Sequence, residues 1–367
     1  MQEILKLYIK NLPGWRTKRK PVVFISDDWG DNRIRSEDDY HKLIESGIPV
    51  DKSIHTKYGA LASQSDLYNL FEILTRFKDK TGRNVVITPF VIMTNPDFDK
   101  IRSDRFEKYH YEIFTETIKN SYRGEETLKA WEDGIEAGIF LPELHGREHF
   151  NVPQWLKFLK MGDKNLLKAF EFHYAYLRTY DMKVNPVYAF YFDNQNDFEF
   201  LNESLKDGVR LFQETFKRNP TVFNPPNGMF HNMFYKQLAE SGIQSVNTKH
   251  FRLQPDTRGG ITRKHFRFGQ VSDEGIIHFV SNCAFEPASW DYKGIGKTLK
   301  QVEVAFNCGK PALINTHRVN FIGSRNKSVS NKSLTELALL IQAMINKWPD
   351  IEFLGAGEFV TLLKMSA

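Results

Sequence analysis

The sequence predicts an α/β protein in which helices cover a parallel sheet. Two apolar runs, residues 21–25 and 84–93, have the length and β-branched content of strands that are buried on both faces. Amphipathic segments alternate with such runs along the chain, and polar residues follow several of the runs. Because the carboxyl ends of parallel strands share one face in a barrel or a doubly wound sheet, we expect these polar residues to meet.

Each predicted element has its own pattern of apolar residues and its own boundary residues. Helices are expected where apolar residues recur every three or four positions between a capping residue and a glycine, as between Ser36 and Gly47. The predicted helices are 36–47, 65–82, 127–137, one or two within 153–180, 198–216, 233–242, 297–308, 334–348 and a last one from 358. The predicted strands are 21–25, 84–93, 139–141, 187–192, one broken by prolines after 220, 243–246, a hairpin within 266–285, 311–317 and 351–354.

Composition limits the function classes. Lys and Arg number 50 against 45 Asp and Glu, a net charge of +5 that gives no reason to expect nucleic-acid binding. No window approaches 18 uninterrupted apolar residues and the amino terminus lacks a signal-peptide pattern, so we expect a cytoplasmic protein that does not bind membranes. Cys283 and Cys308 lie in apolar surroundings and are expected to be buried thiols.

The domain organisation is expected to be simple. The sequence contains no repeat, low-complexity tract or linker-like stretch. We therefore expect residues 1–367 to form a single domain. The high aromatic content, 14%, suits packed layers and also leaves rings that could stack on sugars, Trp29 among them.

A metal site is predicted from two remote segments. His145 and His149 are four positions apart, so a helical or tightly turned backbone would direct both imidazoles to one ion. Asp28, after the first strand, is the best-placed third ligand for a catalytic site that leaves one position open. Two nitrogens and one oxygen suit Zn²⁺ best, although Co²⁺, Ni²⁺ or Fe²⁺ would accept the same ligands.

The neighbouring polar residues predict what such an ion would do. It would polarise a carbonyl group and lower the pKa of a bound water toward about 7. Asp27 could then serve as general base, and His317, after a distant strand, as general acid. The backbone N–H of Asn227, which follows two prolines, could bind the oxyanion. Together these features predict metal-assisted hydrolysis of an amide or ester.

The order of the segments resembles the polysaccharide deacetylases, carbohydrate esterase family 4. Over about residues 21–363, Ser26-Asp27-Asp28 resembles the first motif of that family, His145 to His149 the second, Phe223 to Gly228 the third and Ile314 to His317 the last. The resemblance implies Asp27 as base, Asp28, His145 and His149 as metal ligands, and His317 as acid. It also implies an incomplete (β/α) barrel of about seven strands, with the helical block at about 150–217 as an insertion that covers the site or forms a dimer contact.

Several positions depart from the family pattern. Asn224 stands where the family has the Arg that braces the base, for which Arg318 or Arg147 could substitute, and Asn227 stands where it has an aromatic residue. The loop residues Asn224, Pro226 and Asn227, together with Trp29, are the expected substrate contacts. The fourth motif is reduced to Ala288-Ser289-Trp290-Asp291, so either Asp291 or Glu286 could orient His317, and Arg318 is a further supporting candidate.

The resemblance implies removal of an acyl, typically acetyl, group from an N- or O-acylated carbohydrate, which would be the partner of this chain, alone or as a homo-oligomer. Two other functions also fit the sequence. A glycan-binding pseudoenzyme would keep the fold without turnover. His145-x-x-Glu148-His149 also matches the inverted zincin pattern of metalloproteases, which requires one continuous helix through both histidines.

Overall fold

A computed structural model describes residues 2–178, 186–258 and 260–365. Its helices are α1 Gln2–Asn11, α2 Glu37–Glu45, α3 Ile54–Lys57, α4 Gln64–Arg76, α5 Phe98–Ser103, α6 Phe114–Lys119, α7 Gly124–Glu136, α8 Val152–Lys160, α9 Lys164–Glu171, α10 Gln195–Phe216, α11 Tyr235–Glu240, α12 Gly296–Asn307, α13 Lys327–Lys347 and α14 Ala356–Met365. Its strands are β1 Lys20–Trp29, β2 Ile87–Ile92, β3 Thr94–Pro96, β4 Tyr111–Ile113, β5 Glu143–Gly146, β6 Val222–Phe223, β7 Ser245–Thr248, β8 Phe251–Pro255, β9 Ile261–His265, β10 Gln270–Val271, β11 Ile277–Val280, β12 Cys283–Ala284, β13 Ala312–His317 and β14 Ile351–Phe353. None of these helices is long and apolar enough to cross a membrane.

One large sheet organises the described chain. Its strand order is β10-β11-β7-β6-β5-β2-β1-β13-β12, and β14 pairs with the start of β1. Nine of these strands are parallel, while β10 joins β11 in the antiparallel hairpin that the sequence predicts. The sheet curls into a half-barrel, which confirms the predicted incomplete (β/α) barrel. The short strands β12 and β14 bring the number of parallel strands above the seven expected.

The two faces of the sheet bury different partners. Alternate strand residues such as Val22 and Phe24 pack on the outer face against the apolar sides of α4, α7, α10 and α13. The intervening residues, such as Val23 and Ile25, pack on the inner face against Phe359 and neighbouring residues of α14. The terminal helix therefore fills the inner face below the carboxyl ends of the strands.

Some predicted elements differ in the structure. Residues 187–192 were expected to form a strand, but they form turns in which Phe190 packs against Phe223 and Phe230. An apolar run of this length cannot by itself distinguish a strand from a buried irregular segment. The predicted strand at 139–141 is reduced to a single bridge at Phe140, and the regular strand begins at Glu143. Of the helices predicted within 153–180, residues 179–180 lie outside the described chain.

Glu143 joins β5 to β6 and so fixes the loop that follows β6. Its buried carboxylate accepts hydrogen bonds from the backbone N–H groups of Thr221, at 2.7 Å, and Val222, at 2.9 Å. We expect Glu143→Ala to lower the free energy of unfolding by about 3 kcal/mol, since each buried donor left unsatisfied costs about 1–3 kcal/mol. Urea denaturation would measure this loss.

The control for this prediction is Glu72→Ala, because Glu72 forms an exposed pair with Arg76. Exposed pairs contribute little, so we expect a change of less than about 0.5 kcal/mol. Equal losses in the two variants would contradict the proposed connection between β5 and β6.

Candidate metal centre and active site

The polar residues that follow the strands meet on the inner face. Val23 and Ile25 face inward, and the alternation of side chains along β1 brings Asp27 to the same face. The same alternation applies where Leu313 precedes Asn315 and His317 on β13. The residues that this brings around one cavity include Asp27, His145, Asn224, Asn247, Ser281, Asn315 and His317.

Asp28 reaches the same cavity because the end of β1 is irregular. A regular strand would point Asp27 and Asp28 to opposite faces. The pairing of β1 with β2 instead shifts register between Ser26 and Trp29, and Asp28 has a left-handed φ of 73°. Gly30 follows with a φ of 83°, and a Cβ atom there would lie 2.4 Å from the carbonyl oxygen of Ile92. This bulge turns both carboxylates toward one cavity.

Asp28, His145 and His149 form a compact set of metal ligands. One ligand atom from each lies within 4.8 Å of the others, and all three residues are buried. The Asp28 Oδ1 atom is 2.9 Å from His149 Nε2 and 3.6 Å from His145 Nε2. Ligands of a tetrahedral zinc ion with bonds of about 2 Å are about 3.3 Å apart, so these distances fit such an ion.

A hydrogen bond fixes the orientation of one of these imidazoles. The Nδ1–H group of His145 donates to the carbonyl oxygen of Asn224 at 2.6 Å, which leaves Nε2 free to act as a ligand. Metal-binding histidines are commonly held in this way by a second hydrogen bond. The donor set and its support therefore fit a divalent ion such as Zn²⁺.

Arg33 is a charged neighbour of this centre that the sequence did not indicate. Its Nη2 atom is 2.9 Å from Asp28 Oδ2, and its Nε donates to Asp31 at 2.7 Å. Burial alone would raise the pKa of Asp28, but Arg33, His149 and hydrogen bonds from the two histidines hold it well below its usual value. Burial also lowers the pKa of His149. The ligands thus favour the deprotonated forms that a metal ion needs.

Two amide side chains hold Asp27. Asn224 Nδ2 donates to Asp27 Oδ1 at 2.7 Å, and Asn315 Nδ2 donates to Asp27 Oδ2 at 3.2 Å. Asn247 donates to Asn224 Oδ1 at 3.1 Å and accepts a hydrogen bond from Ser281 at 2.8 Å, which fixes the orientation of both amides. Asn224, which stands where the family has an Arg that braces the base, therefore braces Asp27 through its side-chain amide.

The suggestion that an arginine substitutes for this group is wrong. Arg147 pairs with Glu148 and Asp207, and its guanidinium lies over Tyr109 and Tyr111. Arg318 is buried, and none of the contacts found for it reaches Asp27. Burial lowers the pKa of Arg318 while the charges of Asp31 and Asp28 act to raise it, so Arg318 contributes to the charge of the centre without bracing the base.

Glu286 is the partner of His317. Its Oε1 atom is 2.6 Å from His317 Nδ1, and its Oε2 accepts from Asn320 at 2.8 Å. Burial lowers the pKa of His317, but Glu286 and the two aspartates outweigh it and raise that pKa to about 10. Asp291, the other candidate, is exposed and accepts a hydrogen bond from Ser289 instead, so of the two it is Glu286 that orients His317.

Two of the expected substrate contacts do not line the cavity. Trp29 is buried in the core, donates to Ser26 Oγ at 2.9 Å and packs edge-on against Trp131 and Phe140. The bulge that turns Asp28 inward sends the next side chain to the outer face. Pro226 is also buried, whereas Asn224 and Asn227 line the cavity.

His55 also lines the cavity, although no sequence pattern indicated this residue. It lies on the single-turn helix α3, next to His317, with ring centroids 4.6 Å apart. Burial and the nearby charge of His317 lower the pKa of His55 to about 3. No strand or motif precedes this residue, so only the folded chain brings it to the site.

The inverted zincin arrangement is absent from this part of the described chain. His145 lies at the end of β5 and His149 in the following turn, so no helix connects the two. Glu148 would be the base of a zincin. Here it pairs with Arg147 and accepts from Ser204 at 2.8 Å, away from the metal ligands.

Comparison with known proteins supports the fold. No family model and no curated protein sequence matches the chain. A solved structure from Parabacteroides distasonis, provisionally named a glycoside hydrolase/deacetylase, aligns with 98% of this chain and 73% of its own at 10% identity and a TM-score of 0.54. The chain has a polysaccharide deacetylase-like fold.

Two solved structures of proteins provisionally named polysaccharide deacetylases are also similar to this chain. The one from Mycobacterium smegmatis aligns over 96% of this chain and 93% of its own, at 15% identity and a TM-score of 0.45. The one from Pseudomonas aeruginosa aligns over 94% and 91%, at 11% identity and a TM-score of 0.47. The roles of individual residues in the deacetylase-like fold rest on the geometry of the site.

Proposed function

We propose that this chain is a metal-dependent hydrolase that removes an acyl group, such as acetyl, from an N- or O-acylated carbohydrate. The observation that carries the proposal is that Asp27 and His317, 3.9 Å apart, line the same cavity as the Asp28, His145 and His149 ligand set. A divalent ion held there would supply a Lewis acid and lower the pKa of water.

Asp27 is suited to accept the proton from the attacking water. It is next to the ligand Asp28, and each of its two oxygens accepts one amide hydrogen bond. A carboxylate oxygen has two lone pairs, so each retains one for a proton. The two amides orient the carboxylate without adding a positive charge that would weaken it as a base.

His317 is suited to donate a proton to the leaving group. Its Nδ1 faces Glu286, while its Nε2 faces the cavity and is 3.9 Å from Asp27 Oδ2. The raised pKa keeps the imidazole protonated at neutral pH. Asn227, which has a left-handed φ of 52°, lines the same cavity, and we assign this polar loop to contact with the substrate.

Acetate release from N- and O-acetylated mono- and oligosaccharides tests the proposal. We expect release by the zinc-loaded chain, loss of release with a chelator and recovery when zinc is restored. Zinc-loaded protein that is inert on the whole panel but binds the sugars would contradict the proposal and favour the glycan-binding pseudoenzyme.

Glu286→Gln is expected to change the pH dependence. The pKa of His317 is raised in the folded protein, so the acid is present at lower pH and is lost as pH rises through that value. Removing the charge of Glu286 lowers the pKa of His317, and we expect the alkaline limb of kcat/KM to move down by about 1–3 pH units. Asp291→Asn is the control and should leave this limb unchanged. A shift in the control alone would reverse the assignment.

A further inference from the structure

A second group of metal-binding side chains lies beside the first. Asp28, His55 and His317 each offer a ligand atom within 4.8 Å of the other two. Asp28 belongs to both groups, and its carboxylate can bridge two ions because it has two oxygens. His55 and His317 come from α3 and the end of β13, so this group forms only in the folded chain.

His317 is oriented as metal-binding histidines are. Glu286 holds Nδ1 at 2.6 Å, which directs Nε2 into the cavity. A carboxylate behind an imidazole is a common second contact of histidine ligands. Asp27 Oδ2 is 3.9 Å from Nε2 and offers a fourth ligand on the same side.

His55 has an unused nitrogen that faces the same point. Its Nδ1 is buried and has no hydrogen-bond partner among the described residues. The nearest carboxylate oxygen, Asp28 Oδ2, is 3.5 Å away. Buried imidazole nitrogens normally have a partner, so this nitrogen is available as a ligand beside the other two.

We propose that Asp28, His55 and His317 bind a second divalent cation such as Zn²⁺, more weakly than the first group, and that this cation inhibits the enzyme. The site is weaker because Arg33 is 2.9 Å from the same Asp28 oxygen, because an ion at the first group shares that carboxylate, and because the cation must displace the proton on His317 Nε2, which is released to solvent. Inhibition follows because a cation on His317 Nε2 occupies the atom that must donate a proton. The inhibition rests on the proposed function, while the binding does not.

The test of the site is zinc binding to the metal-stripped full chain, measured by equilibrium dialysis with elemental analysis. We expect two zinc ions per chain, the second bound at least about ten-fold more weakly, since only the second site competes with Arg33. His55→Ala and, independently, His317→Gln should each retain only the tighter ion. His41→Ala, an exposed histidine on α2, should keep both. Circular dichroism would confirm folding of each variant.

A wild-type chain that binds one ion, or two ions retained in both His55→Ala and His317→Gln, would overturn the proposal. Acetate release provides the second readout. Acetate release should rise as zinc is added up to one equivalent. Beyond one equivalent it should fall in the wild type and in His41→Ala, but it should not fall in His55→Ala. Two bound ions without acetate release on any sugar would contradict the proposed function and leave the second site standing.

Discussion

Asp27→Asn is expected to lower turnover by about 10²–10⁴-fold, the usual contribution of a general base, while the tight zinc ion stays bound. An asparagine cannot accept the proton. It also presents an NH2 group to either Asn224 or Asn315, and both of these donate to the carboxylate in the wild type. The variant therefore loses one of the two hydrogen bonds that orient the side chain. Acetate release and zinc content, measured on the same sample, would check this prediction.

Asp350→Asn is the matched control for Asp27→Asn. Asp350 is an exposed aspartate that pairs with Lys20 at the far end of β1. We expect this control to keep both zinc and turnover. Full activity of Asp27→Asn would show that another group accepts the proton and would refute the assignment of the base.

His149→Ala is expected to remove the tight zinc ion and, with it, turnover at one equivalent of zinc. The His149 Nε2 atom is the ligand nearest to Asp28 Oδ1, at 2.9 Å. Loss of a hydrogen-bond partner that supports a metal ligand lowers metal affinity by about 10–100-fold. Loss of the ligand itself should therefore lower the zinc affinity of this site by more than about 100-fold. The weaker ion proposed at His55 should remain. Zinc titration with a competing chelator would measure both.

His265→Ala serves as the control for His149→Ala, because His265 is exposed on β9. We expect it to bind zinc and turn over as the wild type does. Unchanged tight binding in His149→Ala would show that the ion is held by other residues, and the ligand set would have to be revised.

The main parts of the site could be predicted because they follow strands. Asp27, Asp28, His145 and His317 each come at or just after a buried apolar run, and the carboxyl ends of parallel strands meet at one edge. The alternation of side chains explains the common face of Asp27 and His317. The inward turn of Asp28 depends on a bulge and a left-handed φ, which local sequence patterns do not specify.

Other parts could not be predicted, because they depend on which elements become neighbours. Asn224 looked like the loss of a bracing group, and only the position of β6, separated from β1 by β5 and β2 in the curled sheet, shows that its amide reaches Asp27. The sequence does not distinguish Glu286 from Asp291 as the partner of His317. The pairing of β12 with β13 brings Glu286, just after β12, next to His317 at the end of β13. The prediction that Trp29 contacts the substrate is wrong for a related reason. The bulge beside Trp29 turns its side chain to the outer face of the sheet, away from the cavity.

The two hydrogen bonds of Asn224 couple the loop after β6 to two functions at once. Its carbonyl oxygen holds His145, and its side chain holds Asp27. Any change in residues 225–228 that displaces Asn224 would therefore disturb metal affinity and proton acceptance together. Engineering of substrate preference in this loop would have to preserve the backbone position of a single asparagine, which makes the neighbouring surface the safer place for such changes.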